Sequence, residues 1–122
     1  MKLLLDTNAL IRWHLEKLPP AAVRIVQRAE LVVVSAVSAW EIAIKRALGK
    51  LELKDSVERI VTENGFFPLA VTVQHGDLLR ELPPHHPDPF DRLLIVQALE
   101  EGLTILTSDR AFEPYRVPVA WP

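Results

Sequence analysis

Three short apolar runs stand apart in this chain: Leu3-Leu4-Leu5, Leu31-Val32-Val33-Val34 and Leu103-Thr104-Ile105-Leu106. Each is too short for a helix and is followed by capping residues, so each reads as a buried strand. The stretches between them carry helical periodicity. One helix is expected from Pro20 to about Glu30, with Ala22, Ile25, Val26 and Ala29 on one face. Strands that alternate with helices are joined by crossovers and pair in parallel. The expected class is α/β, with three layers around a central parallel sheet.

The remaining elements follow from local signals. Ala9 to Leu15 is a short helix, broken by Pro19-Pro20. Ser35 or Ser38 caps a helix that runs to about Leu48, and Gly49 stops it. A helix opens at Asp55 or Ser56 and ends near Asn64-Gly65. Phe66 to Leu69 reads as a strand that Pro68 confines to a sheet edge. Val73 to Leu82 and Phe90 to Gly102 are helices, separated by a proline-rich loop. Val117 to Val119 is a last short strand. No repeat or linker divides the chain, so residues 1–122 are expected to form one domain.

Composition closes several routes. With no cysteine there are no disulfides, thiolate zinc sites or cysteine nucleophiles, which fits a cytoplasmic setting. The apolar start ends at Asp6, short of a signal sequence, and no stretch approaches the ~20 apolar residues of a membrane span. Net charge is −2, from 14 basic and 16 acidic residues, so no global basic excess marks a polyanion binder.

Four acids stand where strands or helices can deliver them to one place. Asp6 follows the first strand and Asp109 follows the fourth, and ligands of open parallel sheets bind beyond the carboxyl ends of the strands. Glu41 lies early in the helix after the second strand, flanked by Val37, Trp40, Ile44 and Leu48 on an expected inward face. Asp91 lies in the first turn of a helix that Asp88 can cap, on the side of Leu94 and Ile95. Each acid also has a purely structural reading: Asp6 and Asp109 as caps, Glu41 as part of a capping box, Asp91 as a first-turn anion. Their conjunction favours a shared pocket. Clustered carboxylates raise one another's pKa unless a cation neutralises them, and the natural cation is Mg²⁺ or Mn²⁺. Lys45, one turn beyond Glu41, can pair with it instead. Asn8, Thr107, Ser108 and Arg92 are candidate helpers that hold water, a phosphate oxygen or Asp91 itself. Adjacent His85 and His86 in a proline loop are expected at the surface, without the spacing of a zinc site.

At these residues the chain resembles the PIN domain family, and within it the VapC-type toxins of toxin–antitoxin pairs. The similarity rests on Leu3 to Asn8, Ser35 to Lys45, Gly49 to Leu51, His86 to Ile95 with its Asp88-Pro89-Phe90-Asp91-Arg92 block, Thr107-Ser108-Asp109, and Tyr115 to Trp121. The resemblance implies ribonuclease activity with Mg²⁺ or Mn²⁺ held by Asp6, Glu41, Asp91 and Asp109. It also implies a homodimer and a small antitoxin partner. Two rivals stand beside it. A phosphatase or receiver domain also uses strand-end acids with Mg²⁺, although a phosphatase wants a second acid where Asn8 stands. An RNA-binding regulatory module would not need the intact acidic set.

Overall fold

A computed structural model describes residues 1–122. The chain runs β1 (Lys2–Leu5), α1 (Thr7–His14), α2 (Pro20–Arg28), β2 (Leu31–Ser35), α3 (Ala36–Ala47), α4 (Val57–Asn64), β3 (Phe67–Leu69), α5 (Val73–Leu78), α6 (Pro89–Glu101), β4 (Thr104–Leu106) and β5 (Val119–Ala120). All five strands pair in parallel in the order β3-β2-β1-β4-β5. Leu3 lies between Val32 and Thr104, which fixes β1 at the centre. Pro68 lies on β3, at one edge, where its missing N–H leaves no inner ladder incomplete.

Strand alternation divides the core into two layers. Leu3 and Leu5 point to one face, where they meet Leu10 of α1, Ala22 and Val26 of α2, and Ile60 and Val61 of α4. Leu4 and Val33 point to the other, against Leu94, Ile95 and Ala98 of α6 and Phe112. Leu3, Leu4 and Leu5 are completely buried, and each such side chain contributes about 1.5–3 kcal/mol. The sheet between these layers is the expected three-layer α/β/α fold.

Three local expectations change. The helix expected from Val73 to Leu82 gives way after Leu78 to a 3₁₀ turn, Leu79–Glu81. The Arg92 guanidinium takes the carbonyls of Leu79, Leu82 and Pro83 and holds this stretch in a tighter path. The last strand starts at Val119 rather than Val117, because Val117 turns into the core and Pro118 has no N–H to pair. The face of α3 also differs. Its buried residues are Val37, Ser38, Glu41 and Ile42, whereas Trp40, Ile44 and Leu48 are 59%, 37% and 62% exposed. The inward stripe is therefore rotated from the expected one, although Glu41 stays on it.

A buried polar chain ties the layers together near the site. Ser35 caps α3 through the Val37 N–H and donates to Gln97 Oε1. The Gln97 amide donates to Ala70 O at 3.2 Å and lies 3.3 Å from Nδ1 of the buried His75. Gln97→Leu would leave the Ser35 hydroxyl and the Ala70 carbonyl without these partners. Stranding such groups costs about 1–3 kcal/mol. We expect a clear fall in the urea midpoint and a drop of several degrees in melting temperature; an unchanged midpoint would show that the chain of hydrogen bonds is dispensable.

Candidate active site

The sheet order reverses beside β1. From β1 the chain moves outward to β2 and β3, then returns to place β4 on the other side. In parallel sheets with such a reversal, ligands bind beyond the carboxyl ends of the strands that flank it, here β1 and β4. Asp6 follows β1 and Asp109 lies three residues beyond β4, so adjacent strands deliver both acids to this edge. α3 leaves the same edge from β2 and carries Glu41 in its second turn. α6 runs back along the sheet into β4, so its first turn, with Asp91, lies at that end too. Two contacts lock these elements. Thr7 and Ser38 hydroxyls are 3.0 Å apart, joining α1 to α3. Trp40 and Phe90 meet edge to face at 4.9 Å, joining α3 to α6.

One oxygen of each carboxylate is held by the protein. Asp6 Oδ1 accepts the Ala9 N–H at 2.7 Å, and Asp109 Oδ1 accepts the Ala111 N–H at 2.9 Å. Glu41 Oε2 meets Lys45 Nζ at 2.9 Å, and Asp91 Oδ2 lies 2.8 Å from His86 Nε2. The capping readings of Asp6 and Asp109 are thus correct, and they leave both acids at the carboxyl edge of the sheet. Glu41 Oε1 is buried with no hydrogen-bond partner. Such an atom is costly unless a water or a ligand meets it.

The acids share one electrostatic neighbourhood. Burial raises the Asp6 pKa, the hydrogen bonds from Thr107 and Ala9 oppose the rise, and Asp109 and Glu41 add to it. Asp91 is pushed up to about 7, mainly by burial and then by Asp88, with Asp6 also contributing and His86 opposing. His86 Nε2, an Asp91 oxygen and an Asp109 oxygen all lie within 4.8 Å of one another. Asp6 and Glu41 stand outside that tight group and border it. The donor set is rich in carboxylate oxygen, carries an orphaned buried oxygen and lacks thiolate. It fits a hard divalent cation.

The helper residues divide. Thr107 is buried beside Asp6, and its hydroxyl accepts the Asp109 N–H at 3.0 Å, so it joins the two strand-end acids. Lys45 pairs with Glu41, as one of its expected alternatives had it. Arg92 makes no ion pair with Asp91, because its donors are spent on loop carbonyls and the Tyr115 hydroxyl. Asn8 and Ser108 are exposed, and neither side chain has a hydrogen-bond partner within the protein. His86 is the residue that sequence reasoning missed. It was expected at the surface with His85, but its side chain is only 10% exposed and turns into the acidic site. Its position two residues before the Asp88 cap was the available signal.

The PIN domain family matches residues 3–117. A relative, Ribonuclease VapC22 of Mycobacterium tuberculosis, is 29% identical over 125 residues, covering 94% of this chain and 92% of its own. Among solved structures, VapBC2 from Rickettsia felis, bound to a DNA fragment from their promoter, matches 98% of both chains at 14% identity with a TM-score of 0.68. FitAcB from Neisseria gonorrhoeae matches 96% of this chain and 95% of its own at 21% identity with a TM-score of 0.66. These structures share the fold.

The raised pKa of Asp91 has a signed consequence in metal-free protein. Unfolded, its carboxyl titrates near 3.9; folded, near about 7. Between those values the folded state binds more protons, so stability falls as pH rises through the window. Asp91→Asn removes that contribution. In chelator, we expect the melting temperature of wild type to fall relative to that of Asp91→Asn as pH climbs from about 4 to about 7. Parallel curves would show that Asp91 is not held protonated.

Proposed function

Because this chain belongs to the PIN domain family, we propose that it is a metal-dependent endoribonuclease and the toxin of a toxin–antitoxin pair. One observation carries the catalytic part: four carboxylates share one edge of the sheet, and one buried oxygen, on Glu41, has no partner within the protein. The match to a relative named as a ribonuclease supports RNA as the substrate.

In this reading Mg²⁺ or Mn²⁺ is held by Asp6 and Asp91, with Glu41 and Asp109 completing the set directly or through water. When bound, the cation supplies positive charge to the phosphodiester and lowers the pKa of water. The chain's own residues supply the frame. The Ala9 and Ala111 N–H groups fix Asp6 and Asp109 at the strand ends. Lys45 holds one Glu41 oxygen and leaves the other, which is buried, without a partner within the protein. Thr107 keeps Asp6 and Asp109 in register. The acids repel a phosphate when no cation is present, so RNA binding and metal binding are coupled.

The partner side of the proposal rests on likeness to toxin–antitoxin complexes, including one from Klebsiella pneumoniae. A small antitoxin protein and a second copy of this chain are the proposed partners, in a cytoplasmic setting. Exposed Trp40, Ile44 and Leu48 form an apolar stripe on α3 of the kind a protein partner covers. No helix is long and apolar enough to cross a membrane. The 122 residues act as one PIN-like unit.

The direct test is cleavage of labelled RNA by purified protein with Mg²⁺, with Mn²⁺ and with chelator. Asp6→Asn and Asp91→Asn keep side-chain shape and remove charge. Each should lower cleavage by more than about 100-fold, beyond the loss typical of outer-shell partners, while leaving circular dichroism unchanged. Turnover near wild type in either variant would remove that residue from the mechanism. Cleavage undiminished in chelator would overturn the metal-dependent reading.

A further inference from the structure

His86 lies where the acidic site meets the proline-rich loop, within 4.8 Å of oxygens of Asp91 and Asp109 but outside the four carboxylates proposed to hold the ion. We propose that His86 is a positioning residue: its Nε2–H holds one oxygen of Asp91 so that the other faces the bound cation. This rests on the reading that the acids hold a divalent ion.

The geometry separates positioning from ligation. His86 Nε2 is 2.8 Å from Asp91 Oδ2 and 3.9 Å from Asp109 Oδ2. The Asp88 N–H approaches His86 Nδ1 at 3.5 Å, an arrangement that favours the tautomer with Nδ1 as acceptor and the ring proton on Nε2. A protonated Nε2 donates to a carboxylate and cannot bind a metal. Ligation would need the opposite tautomer, with an N–H at Nδ1 facing the Asp88 N–H.

The ring is also held on a built frame. Its edge packs on Phe112, a fully buried core residue, at 5.9 Å between centroids. The His86 N–H donates to the Tyr115 hydroxyl at 2.9 Å, and that hydroxyl donates to Pro83 O at 2.8 Å. Arg92 donates to the same Pro83 carbonyl at 2.9 Å and to the Tyr115 hydroxyl at 3.2 Å. After His86, Asp88 caps α6 through the N–H groups of Phe90 and Asp91. The loop is therefore fastened mainly by groups other than the imidazole: the His86 N–H, the Tyr115 hydroxyl, Arg92 and the Asp88 cap. What the imidazole holds is Asp91. A metal-binding carboxylate fixed by an outer hydrogen bond keeps its orientation before the ion arrives, and the loss of such a partner typically weakens metal binding about 10–100-fold.

The experiment measures Mn²⁺ uptake directly, by titration calorimetry and by the paramagnetic resonance of free Mn²⁺, on the full chain. Wild type, His86→Ala and His86→Gln are compared, each first melted in chelator to establish folding. The glutamine amide keeps an N–H donor near the place of Nε2. His86→Ala should bind Mn²⁺ about 10–100-fold more weakly, and His86→Gln should recover most of that loss. RNA cleavage by His86→Ala should fall at limiting Mn²⁺ and return at saturating Mn²⁺. Equal affinity in wild type and His86→Ala overturns the proposal and leaves the nuclease reading standing. So does a folded His86→Gln that binds as poorly as His86→Ala. Wild type that takes up no Mn²⁺ overturns both readings.

Discussion

Burying carboxylates beside one another is opposed twice, because each charge loses water and then meets its neighbours' field. This protein accepts that cost at the carboxyl edge of its sheet. It relieves part of it through local donors: the first turn of α1 for Asp6, Lys45 for Glu41 and His86 for Asp91, while Asp109 stays half exposed beside them. The relief is incomplete. Asp6 and Asp91 remain raised above ordinary carboxylates, and Glu41 Oε1 remains without a partner. A divalent cation, as proposed, would answer these together, since positive charge favours the ionised carboxylates.

The rest of the fold serves to hold that strained edge together. β1 sits at the centre of the sheet with its three leucines completely buried, so Asp6 has no freedom to retreat into solvent. β4 lies beside it, which fixes the spacing of the two strand-end acids. α3 and α6 bring Glu41 and Asp91 to the same edge, and the Trp40–Phe90 contact joins those helices. The Ser35–Gln97–His75 chain fastens β2 and α6 behind them.

Much of this was legible in the sequence because it is written in local patterns. Apolar runs closed by Asp6 and by Thr107-Ser108-Asp109 mark strand ends, and strand ends in a parallel sheet share an edge. Asp91 was readable from Asp88 and Pro89, which set the start of α6. What escaped depends on direction in space. Arg92 and Asp91 are neighbours in the chain, but they point to different partners, and nothing in the Asp-Arg pair reveals that the guanidinium serves the 79–83 loop. Trp40, Ile44 and Leu48 obey helical spacing, yet the stripe that faces the core is the adjacent one, through Val37, Glu41 and Ile42. His86 lies in a segment with no periodicity, where prolines erase the usual cue for which side is inward. Its backbone is held by Tyr115, 29 residues away, and its ring packs on Phe112.

The central claim is that the folded edge is an incomplete cation site, and melting curves test it most directly. Wild type and Asp91→Asn are compared in chelator and in Mn²⁺ at neutral pH. At free Mn²⁺ about 100 times its dissociation constant, binding to the folded state alone adds roughly 2.7 kcal/mol, seen as a rise of several degrees in wild type. Asp91→Asn should be as stable as wild type or more stable in chelator, because repulsion falls, and should show a smaller rise with Mn²⁺, because a ligand is lost. A full Mn²⁺ shift in Asp91→Asn, or no shift in wild type at saturating Mn²⁺, would contradict the account.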